Sequence, residues 1–259
     1  MTQSASLAYI GHATILIEMD GQRILTDPIL RSRVSLLRRR GQPIDPALFQ
    51  NLDGVLISHL HYDHLDLPSL RLLGHNARLI VPRGSARFFN RHGFRYVEEL
   101  QVDDTTSIGD VTLKATYARH SSTRHPFGLR TQCLGFIITG SYQIYFPGDT
   151  DLFPEMAQLS DNLDVALLPV WGWGPTLGPG HMDPLQAAKT LPLLRPRLAI
   201  PIHWGSLYLW GLGRLNPRQF LSEPPYAFVR YAAGLAPEVK TQIVEPGGTI
   251  LLDAALNLE

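Results

Sequence analysis

A short stretch of the sequence concentrates side chains that bind metal ions. Residues 58–66 read SHLHYDHLD and contain three histidines and two aspartates. Two imidazoles spaced as H-x-H on an extended segment point to the same side, so His59 and His61 would bind one ion. Asp63 and His64 follow after one residue, on a turn that would direct them to a second ion. Such a mixture of nitrogen and oxygen ligands, with a position left open for water, is typical of hydrolytic metal sites.

Three further candidate ligands follow apolar runs that predict strands. His120 follows VTLKATYAR, Asp149 follows YQIYFPG and His203 follows RLAIPI, just as His59 follows GVLIS. Sites in α/β sheets form at the carboxyl ends of strands, where residues distant in sequence converge. His120 would then complete the first site, His203 the second, and Asp149 would bridge the two ions with one oxygen for each. Spacing alone leaves a purely structural role open for each of the three.

The elements that must position these residues are short strands with helices between them. Strands are predicted at 6–18, 22–27, 54–58, 77–82, 111–117, 134–140, 142–146, 164–170, 197–202, 241–245 and 249–252, with a hairpin turn at MDG. Helices are predicted at 85–93, at 183–191 with Asp183 as N-cap and an end before Pro192, at 216–221 after Asn216, and at 225–234. Asp66 is read as the beginning of another helix. This order predicts a layered α/β or α+β fold, and the length suits one domain over residues 1–259.

Several motifs together resemble those of one known superfamily. GHATILIEMDGQRILTDPIL, LISHLHYDHLDLPSL, ARHSSTR, FPGDTD, HMDPLQAA, IPIHWGSL and EPP follow one another through most of the chain. In this order they resemble the metallo-β-lactamase superfamily, and within it the branch of N-acylphosphatidylethanolamine-hydrolysing phospholipase D, with L-ascorbate-6-phosphate lactonase more distant. The resemblance implies a four-layered αββα sandwich.

The resemblance also implies a role for each matching residue. The ligands that it implies are His59, His61 and His120 for the first metal ion, Asp63, His64 and His203 for the second, and Asp149 as the bridge. His181, in GHMDP, matches a histidine beside the substrate. We therefore expect Asp63 and His181 to be the catalytic residues.

Three residues outside the ligand set are candidates for supporting roles. His181 lies just before the helix that Asp183 would cap, where it would donate to a phosphoryl oxygen or protonate a leaving group, unless it only caps backbone. Asp27, at a strand end, would accept a hydrogen bond from a ligand imidazole, with a turn aspartate before Pro28 as the alternative. His12, inside the first predicted strand, is expected in the core or behind a ligand rather than on the metal.

Aromatic and basic residues near the predicted site leave more than one interpretation open. The four tryptophans would either line an apolar mouth for an acyl or aryl group or pack in the core; they are Trp171, Trp173, Trp204 and Trp210. Candidates for a phosphate clamp are Arg31, Arg33, Arg119, Arg124 and Arg130, and no spacing rule selects one. The charged run at 31–41 is read as a solvated loop.

The composition excludes several functional classes. The chain has 259 residues and no formal net charge, so its overall charge directs it neither to nucleic acid nor to an anionic membrane. The one cysteine, Cys133, rules out an internal disulfide, suits a reducing compartment and is read as a small buried hydrophobe. No apolar run approaches the ~20 residues of a spanning helix, and the first residues lack the basic region of a signal peptide, so we expect a cytoplasmic protein.

The sequence thus predicts a metal-dependent hydrolase with two divalent ions. Zinc is expected, with manganese or iron also allowed, and the ions would lower the pKa of a shared water to ~7 so that hydroxide attacks a small-molecule substrate. A phosphodiester, with lipid-like ones included, is the first substrate class. Lactone or acyl ester hydrolysis at the same site is the alternative, and a non-catalytic metal-binding protein is the second. The loop at 170–180 and the missing N-terminal extension differ from the phospholipase and leave a lipid substrate open, as oligomeric state is left open.

Overall fold

The computed structural model describes residues 5–121, 129–159, 161–211 and 218–256. Within these ranges the strands are β1 Ser6–Gly11, β2 Thr14–Met19, β3 Gln22–Thr26, β4 Arg33–Val34, β5 Leu37–Arg39, β6 Gly54–Leu56, β7 Arg78–Pro82, β8 Tyr96–Leu100, β9 Thr105–Ile108, β10 Val111–Tyr117, β11 Leu134–Thr139, β12 Gln143–Phe146, β13 Val165–Pro169, β14 Leu198–Ile202, β15 Leu207–Leu209, β16 Lys240–Thr241 and β17 Gly248–Leu251. The helices are α1 Leu67–Leu72, α2 Ala86–Arg91, α3 Pro184–Leu194, α4 Arg218–Leu221, α5 Pro224–Leu235 and α6 Leu252–Leu256.

Two seven-stranded mixed sheets form the middle of the structure. The strand order is β17-β1-β2-β3-β6-β7-β8 in the first and β16-β14-β13-β12-β11-β10-β9 in the second. In the second sheet, β12, β13 and β14 are parallel, while β11 is antiparallel to both β10 and β12. The strands β10, β12 and β14 therefore run in the same direction, and their carboxyl ends lie at one edge of the sheet.

Apolar side chains from both sheets pack between them into one core. Ile15 and Ile17 of β2 belong to the same cluster as Leu113 of β10 and Phe136 of β11, and none of the four is more than 1% exposed. The alternating burial along most of β10 follows from the two-residue period of a strand with one face on the core. Burying each such side chain stabilises the fold by about 1.5–3 kcal/mol.

Helices cover the outer faces of both sheets. Leu70 of α1 and Phe89 of α2 pack with Val55 and Leu79 of the first sheet. On the second sheet, α3 packs against α5 and β13, and α5 also packs against β14. These layers confirm the predicted αββα sandwich of mixed α/β class. None of the helices in the described ranges combines the length and the apolar character needed to cross a membrane.

The beginnings of two helices agree with the caps predicted from the sequence. The Asp66 carboxylate accepts a hydrogen bond from the backbone N–H of Ser69 at the beginning of α1. At the beginning of α3, Asp183 and Gln186 form a reciprocal capping box, in which each side chain accepts a hydrogen bond from the other residue's backbone N–H. Both helices therefore begin where short polar side chains bind otherwise unpaired N–H groups.

The end of α3 differs from the prediction. The helix continues to Leu194 and contains Pro192 in its last turn, although a proline lacks one of the N–H groups that a helix uses. The packing of α3 against α5 and β13 offsets that missing hydrogen bond. The predicted cap at Asn216 lies outside the described residues.

The predicted first strand at 6–18 is in fact two strands. β1 and β2 pair antiparallel, and the chain reverses between Gly11 and Thr14. Gly11 has a φ of 132° and His12 a φ of 61°, so His12 lies in a tight turn and not inside a strand. The second reversal, predicted at MDG, is confirmed: Asp20 and Gly21 both have positive φ, as a type I′ hairpin turn requires.

The charged run at 31–41 is not a solvated loop. It contains the hairpin β4–β5, which pairs with β15 to form a small third sheet. Val34 and Leu37 are buried against Ile29 and Leu207, while Arg33, Arg38 and Arg40 are exposed. The many arginines of the run predicted an exposed loop, but its few apolar residues are buried and fix its position.

Candidate metal centre

The candidate ligands converge at one edge of the sandwich. His120 follows β10, Asp149 follows β12 and His203 directly follows β14, so all three lie beyond the carboxyl ends of strands that run the same way. His59 and His61 follow β6 of the first sheet. The convergence that we expected from strand ends is the arrangement that the fold produces.

Three ring nitrogens meet in a first group formed by His59, His61 and His120. His61 Nδ1 lies 3.0 Å from His59 Nε2 and 3.0 Å from His120 Nε2. His59 is fully buried, and the other two are partly exposed. These three are also one of the side-chain groups whose ligand atoms lie close enough together to hold one cation.

The hydrogen bonds behind this group fix which nitrogens carry protons. His120 Nδ1 donates to the carbonyl oxygen of Gly180 at 2.8 Å, since a carbonyl can only accept. Ser58 Oγ donates to Asp27, so it accepts from His59 Nδ1 at 2.9 Å. Burial lowers the pKa of His120 to about 4. Both Nε2 atoms of these neutral rings therefore present lone pairs to the centre of the group.

A second group contains Asp63, His64 and His203, joined by His12. His64 Nε2 is 3.1 Å from His203 Nε2 and 3.9 Å from Asp63 Oδ2. His203 Nδ1 donates to the carbonyl oxygen of Trp171 at 2.7 Å, and burial lowers the His203 pKa to about 3. His203 Nε2 consequently faces His64 with a free lone pair.

Asp27 lies behind this second group, fully buried. Its Oδ2 is 2.7 Å from His64 Nδ1 and accepts from Ser58 Oγ, while its Oδ1 accepts from Ser58 N. The carboxylate thereby turns the other nitrogen of His64 toward the group. Its φ of 33° belongs to the left-handed region, in which aspartate and asparagine occur more readily than most residues.

His12 lies directly behind Asp63, one of the candidate ligands. Its Nε2 lies 3.0 Å from Asp63 Oδ2, and its ring centroid is 3.7 Å from that of His203. Its backbone carbonyl also accepts a hydrogen bond from His203 N. Its Nδ1 is buried without a hydrogen-bond partner. His12 therefore contacts two members of the second group through side chain and backbone at once.

Asp149 lies between the two groups and is 2% exposed. Its Oδ1 is 3.0 Å from His203 Nε2, and its Oδ2 is 3.1 Å from His64 Nε2 and 3.9 Å from His59 Nε2. Despite these short distances, neither oxygen has a hydrogen bond of acceptable geometry. Two buried carboxylate oxygens in that condition are costly unless a cation compensates them.

These observations test whether the donors fit metal ions. Ring nitrogens of the paired histidines lie about 3 Å apart, and both buried Asp149 oxygens lack hydrogen bonds of acceptable geometry, so a cation at the centre would stabilise both groups. Imidazole nitrogens and carboxylates suit zinc, manganese or iron better than calcium or magnesium. The residues present fit divalent transition-metal ions.

His181 stands at the boundary between this centre and solvent. Its Nε2 is 3.2 Å from Asp149 Oδ2, its Nδ1 is 3.1 Å from the carbonyl oxygen of Gly178, and its side chain is 23% exposed. Burial acts to lower the pKa of His181, but the Asp149 carboxylate outweighs it and raises the pKa to about 9. The imidazole can therefore carry a proton next to the ligands.

A cavity of about 360 Å³ opens beside the centre. Its walls are Ser35, Leu36, Leu37, His61, Tyr62, Asp63, Trp173, His181 and Leu209. The polar end is formed by the candidate ligands and His181, and the opposite walls come mainly from β4–β5, β15 and Trp173. None of these lining residues is an arginine or a lysine.

The tryptophans divide between the two interpretations given above. Trp173 lines the cavity and donates from Nε1 to Asp63 Oδ2 at 3.0 Å. Trp204 is 2% exposed in the core, and Trp210 is 60% exposed with the Arg38 guanidinium over its ring. Trp171 supplies the carbonyl that His203 uses and bonds through its own Nε1 to Gly174.

The candidate phosphate clamp is not formed by the described arginines. Arg31 is bound bidentately to Asp66, and Arg33 and Arg119 bond to the carbonyl oxygens of Ser35 and Leu152. Arg130 does not line the cavity, and Arg124 lies outside the described residues.

Two contributors to the site were missed in the sequence. Ser58 connects Asp27 to His59, and its position directly before the first ligand was the one available signal. The carbonyl oxygens of Trp171 and Gly180 orient His203 and His120. Because every residue has a backbone carbonyl, such acceptors cannot be predicted from residue types.

Comparison with known proteins agrees with this geometry. Residues 22–204 match the family described as beta-lactamase superfamily domain. The chain is 32% identical over 257 residues to the UPF0173 metal-dependent hydrolase of Opitutus terrae, covering 94% of this chain and 98% of that one. It is 28% identical to N-acyl-phosphatidylethanolamine-hydrolyzing phospholipase D 1 of Caenorhabditis elegans, covering 83% of this chain and 68% of that one.

A solved structure and the lengths of the relatives add to the comparison. A metallo hydrolase from the archaeon Ignicoccus hospitalis superposes with a TM-score of 0.73 at 26% identity, covering 96% of this chain and 98% of that one. The match spans 61% of the length of the uncharacterised mycobacterial relatives. The family match extends over most of the chain and ends just past His203. The chain belongs to the metallo-β-lactamase superfamily.

Proposed function

We propose that the chain hydrolyses a phosphodiester at a centre that holds two divalent metal ions. The residues that would hold them are His59, His61 and His120 for one ion, Asp63, His64 and His203 for the other, and Asp149 for both. The observation that carries the proposal is the position of Asp149, whose two buried oxygens lie between the histidine groups without proper hydrogen bonds. When bound, such ions supply Lewis acidity and acidify a water molecule.

The chain's own residues have distinct tasks in this proposal. Asp27 and His12 hold His64 and Asp63 in place through the contacts at 2.7 and 3.0 Å. His181 lines the cavity and lies beside Asp149, so it is placed to give a proton to the leaving group. Asp63 forms part of the cavity wall and would act both as a ligand and next to the substrate.

Zinc is the proposed ion, because five imidazoles dominate the donor set. Manganese and iron are compatible with the same donors. Elemental analysis of protein purified without chelator is expected to give two ions per chain. One ion per chain would contradict the bridging role of Asp149, since a single ion has no use for a carboxylate between two groups.

The phosphodiester is supported by the phospholipase D of Caenorhabditis elegans, which is 28% identical to the chain. A second candidate, hydrolysis of a lactone or acyl ester at the same centre, is favoured by the cavity wall, because none of its described residues is an arginine or lysine that could clamp a phosphate. Bis-p-nitrophenyl phosphate and a set of simple lactones, assayed in parallel with the same metal-loaded protein, distinguish the two. Turnover of lactones alone would reject the phosphodiester.

Variants of the centre test whether the proposed roles are right. Asp63→Ala is expected to lose metal and turnover together, whereas His181→Ala is expected to keep its metal and lose kcat by ~10²-fold or more. Wild-type turnover in fully metal-loaded Asp63→Ala would refute the assignment of Asp63. Tight metal binding without turnover on any ester or phosphate would instead indicate a non-catalytic metal-binding protein.

A further inference from the structure

One side chain of the cavity wall also reaches a proposed metal ligand. The Nε1–H of Trp173 donates to Asp63 Oδ2 at 3.0 Å, while the indole itself lines the cavity. Leucine side chains of the β4–β5 hairpin and of β15 form much of the remaining described wall. Trp173 is therefore the point at which the apolar wall and the metal centre are directly connected.

Two donors share the same oxygen of Asp63, and they differ in exposure. His12 Nε2, at 3.0 Å, belongs to a fully buried ring held in the β1–β2 turn. Trp173 is 38% exposed and lies in the connection between β13 and α3. Together they restrict the rotation of the carboxylate. Of these two donors, Trp173 lines the cavity and His12 does not.

The cavity itself indicates what kind of group it receives. Leu36 is 62% exposed and Trp173 is 38% exposed at its walls, although large apolar side chains are normally covered. A volume of about 360 Å³ is at the small end for ligand pockets, which are usually apolar with a few convergent polar groups. An alkyl chain of medium length or one aromatic ring fits these walls, with the hydrolysed bond at the His61 and Asp63 end.

We propose that Trp173 is a positioning residue for Asp63 and, at the same time, the wall that selects substrates with an apolar substituent. This rests on the proposed function in one respect, that Asp63 is a metal ligand. The indole N–H orients the Asp63 carboxylate, and the indole face packs against the apolar substituent of the substrate. A bound substituent therefore holds the indole in place and stabilises its hydrogen bond to Asp63.

The first experiment measures metal affinity without turnover. Trp173→Phe keeps an aromatic wall and removes the N–H, and Trp210→Phe makes the same change at an exposed tryptophan outside the cavity. Competition with a chromophoric chelator for zinc is expected to show an affinity ~10-fold or more lower for Trp173→Phe, and unchanged for Trp210→Phe. Equal affinities in the two variants would overturn the positioning role.

The second experiment measures the apolar wall by the binding of alkyl phosphonates. Calorimetry on metal-loaded protein with methyl, butyl and hexyl phosphonate is expected to show affinity rising up to roughly fourfold per methylene in the wild type. Trp173→Phe should keep this dependence, and Trp173→Ala should flatten it. A chain-length dependence that is absent from the wild type, or intact in Trp173→Ala, would overturn the selection of apolar substituents.

Kinetics then separate the two roles in the active enzyme. With alkyl p-nitrophenyl phosphodiesters, Trp173→Phe is expected to lower kcat with little change in KM, and Trp173→Ala is expected also to raise KM for the longer chains. If the wild type hydrolysed none of these substrates, the proposed function would fail, whereas the affinity experiments would still decide the roles of Trp173.

Discussion

Replacing Asp27 with asparagine tests how the second ligand group is held. The carboxylate is fully buried and accepts hydrogen bonds from His64 Nδ1, Ser58 N and Ser58 Oγ. An amide has the same shape and tolerates the φ of 33°, but one of its two ends is a donor. Either His64 loses its acceptor or Ser58 does.

The magnitude follows from these three bonds. One buried donor left unsatisfied costs about 1–3 kcal/mol, so we expect Asp27→Asn to lower the free energy of unfolding by that amount. If the amide nitrogen faces His64, the ring must carry its proton on Nε2, the atom 3.1 Å from His203 Nε2 and from Asp149 Oδ2. A proton there excludes metal, and we expect zinc affinity to fall by ~10- to 100-fold.

Two measurements and one control decide the result. Urea unfolding of the metal-free protein gives the stability loss, and chelator competition gives the loss of zinc affinity. Asp53→Asn is the matched control. The Asp53 carboxylate accepts an exposed hydrogen bond from Arg23 N and lies away from the candidate ligands. Wild-type zinc affinity in Asp27→Asn would refute the argument that Asp27 orients His64.

Three other outcomes follow from the structure. Removing metal with a chelator is expected to lower the melting temperature, and adding zinc should restore it. The reason is that a ligand at 100 times its Kd stabilises the folded chain by about 2.7 kcal/mol. Melting curves that coincide with and without chelator would show that the centre binds no metal. Asp66→Ala removes the α1 cap and the partner of Arg31, so urea unfolding should show a loss of about 1–2 kcal/mol at unchanged metal content, and lost metal would contradict the separation of Asp66 from the ligands. Burial, with a smaller contribution from the nearby Asp149 charge, raises the Cys133 pKa to about 12, so we expect a thiol reagent at pH 8 to modify it only after unfolding, and rapid labelling of the native chain would refute its burial.

The layered fold could be predicted because it depends on local patterns. Apolar runs such as 111–117 and 134–139 became β10 and β11, and Asp66 and Asp183 cap helices where expected. The errors lie where tertiary contacts overrule local preference. Pro192 remains helical because α3 packs on α5 and β13, and the arginine-rich 31–41 forms strands because Val34 and Leu37 are buried.

The sequence predicted which residues form the candidate site better than it predicted how they are arranged. The seven proposed ligands were named from spacing, strand ends and the family resemblance, and the fold brings them within a few ångströms of one another. The turn at Gly11 and His12 was missed because the run around it is apolar enough to predict one continuous strand, whereas Gly11 permits a reversal.

The sequence by itself determined the chemistry of this protein: which imidazoles and carboxylates are available, and that strands would carry them to one edge. These properties are encoded by residue type and by short-range spacing. Only the tertiary structure decided which nitrogen of each ring faces the centre, since partners such as the carbonyl oxygens of Trp171 and Gly180 are backbone atoms from distant loops. It also decided that Trp173, and not Trp204, lines the cavity beside the centre, because burial depends on how separate elements pack.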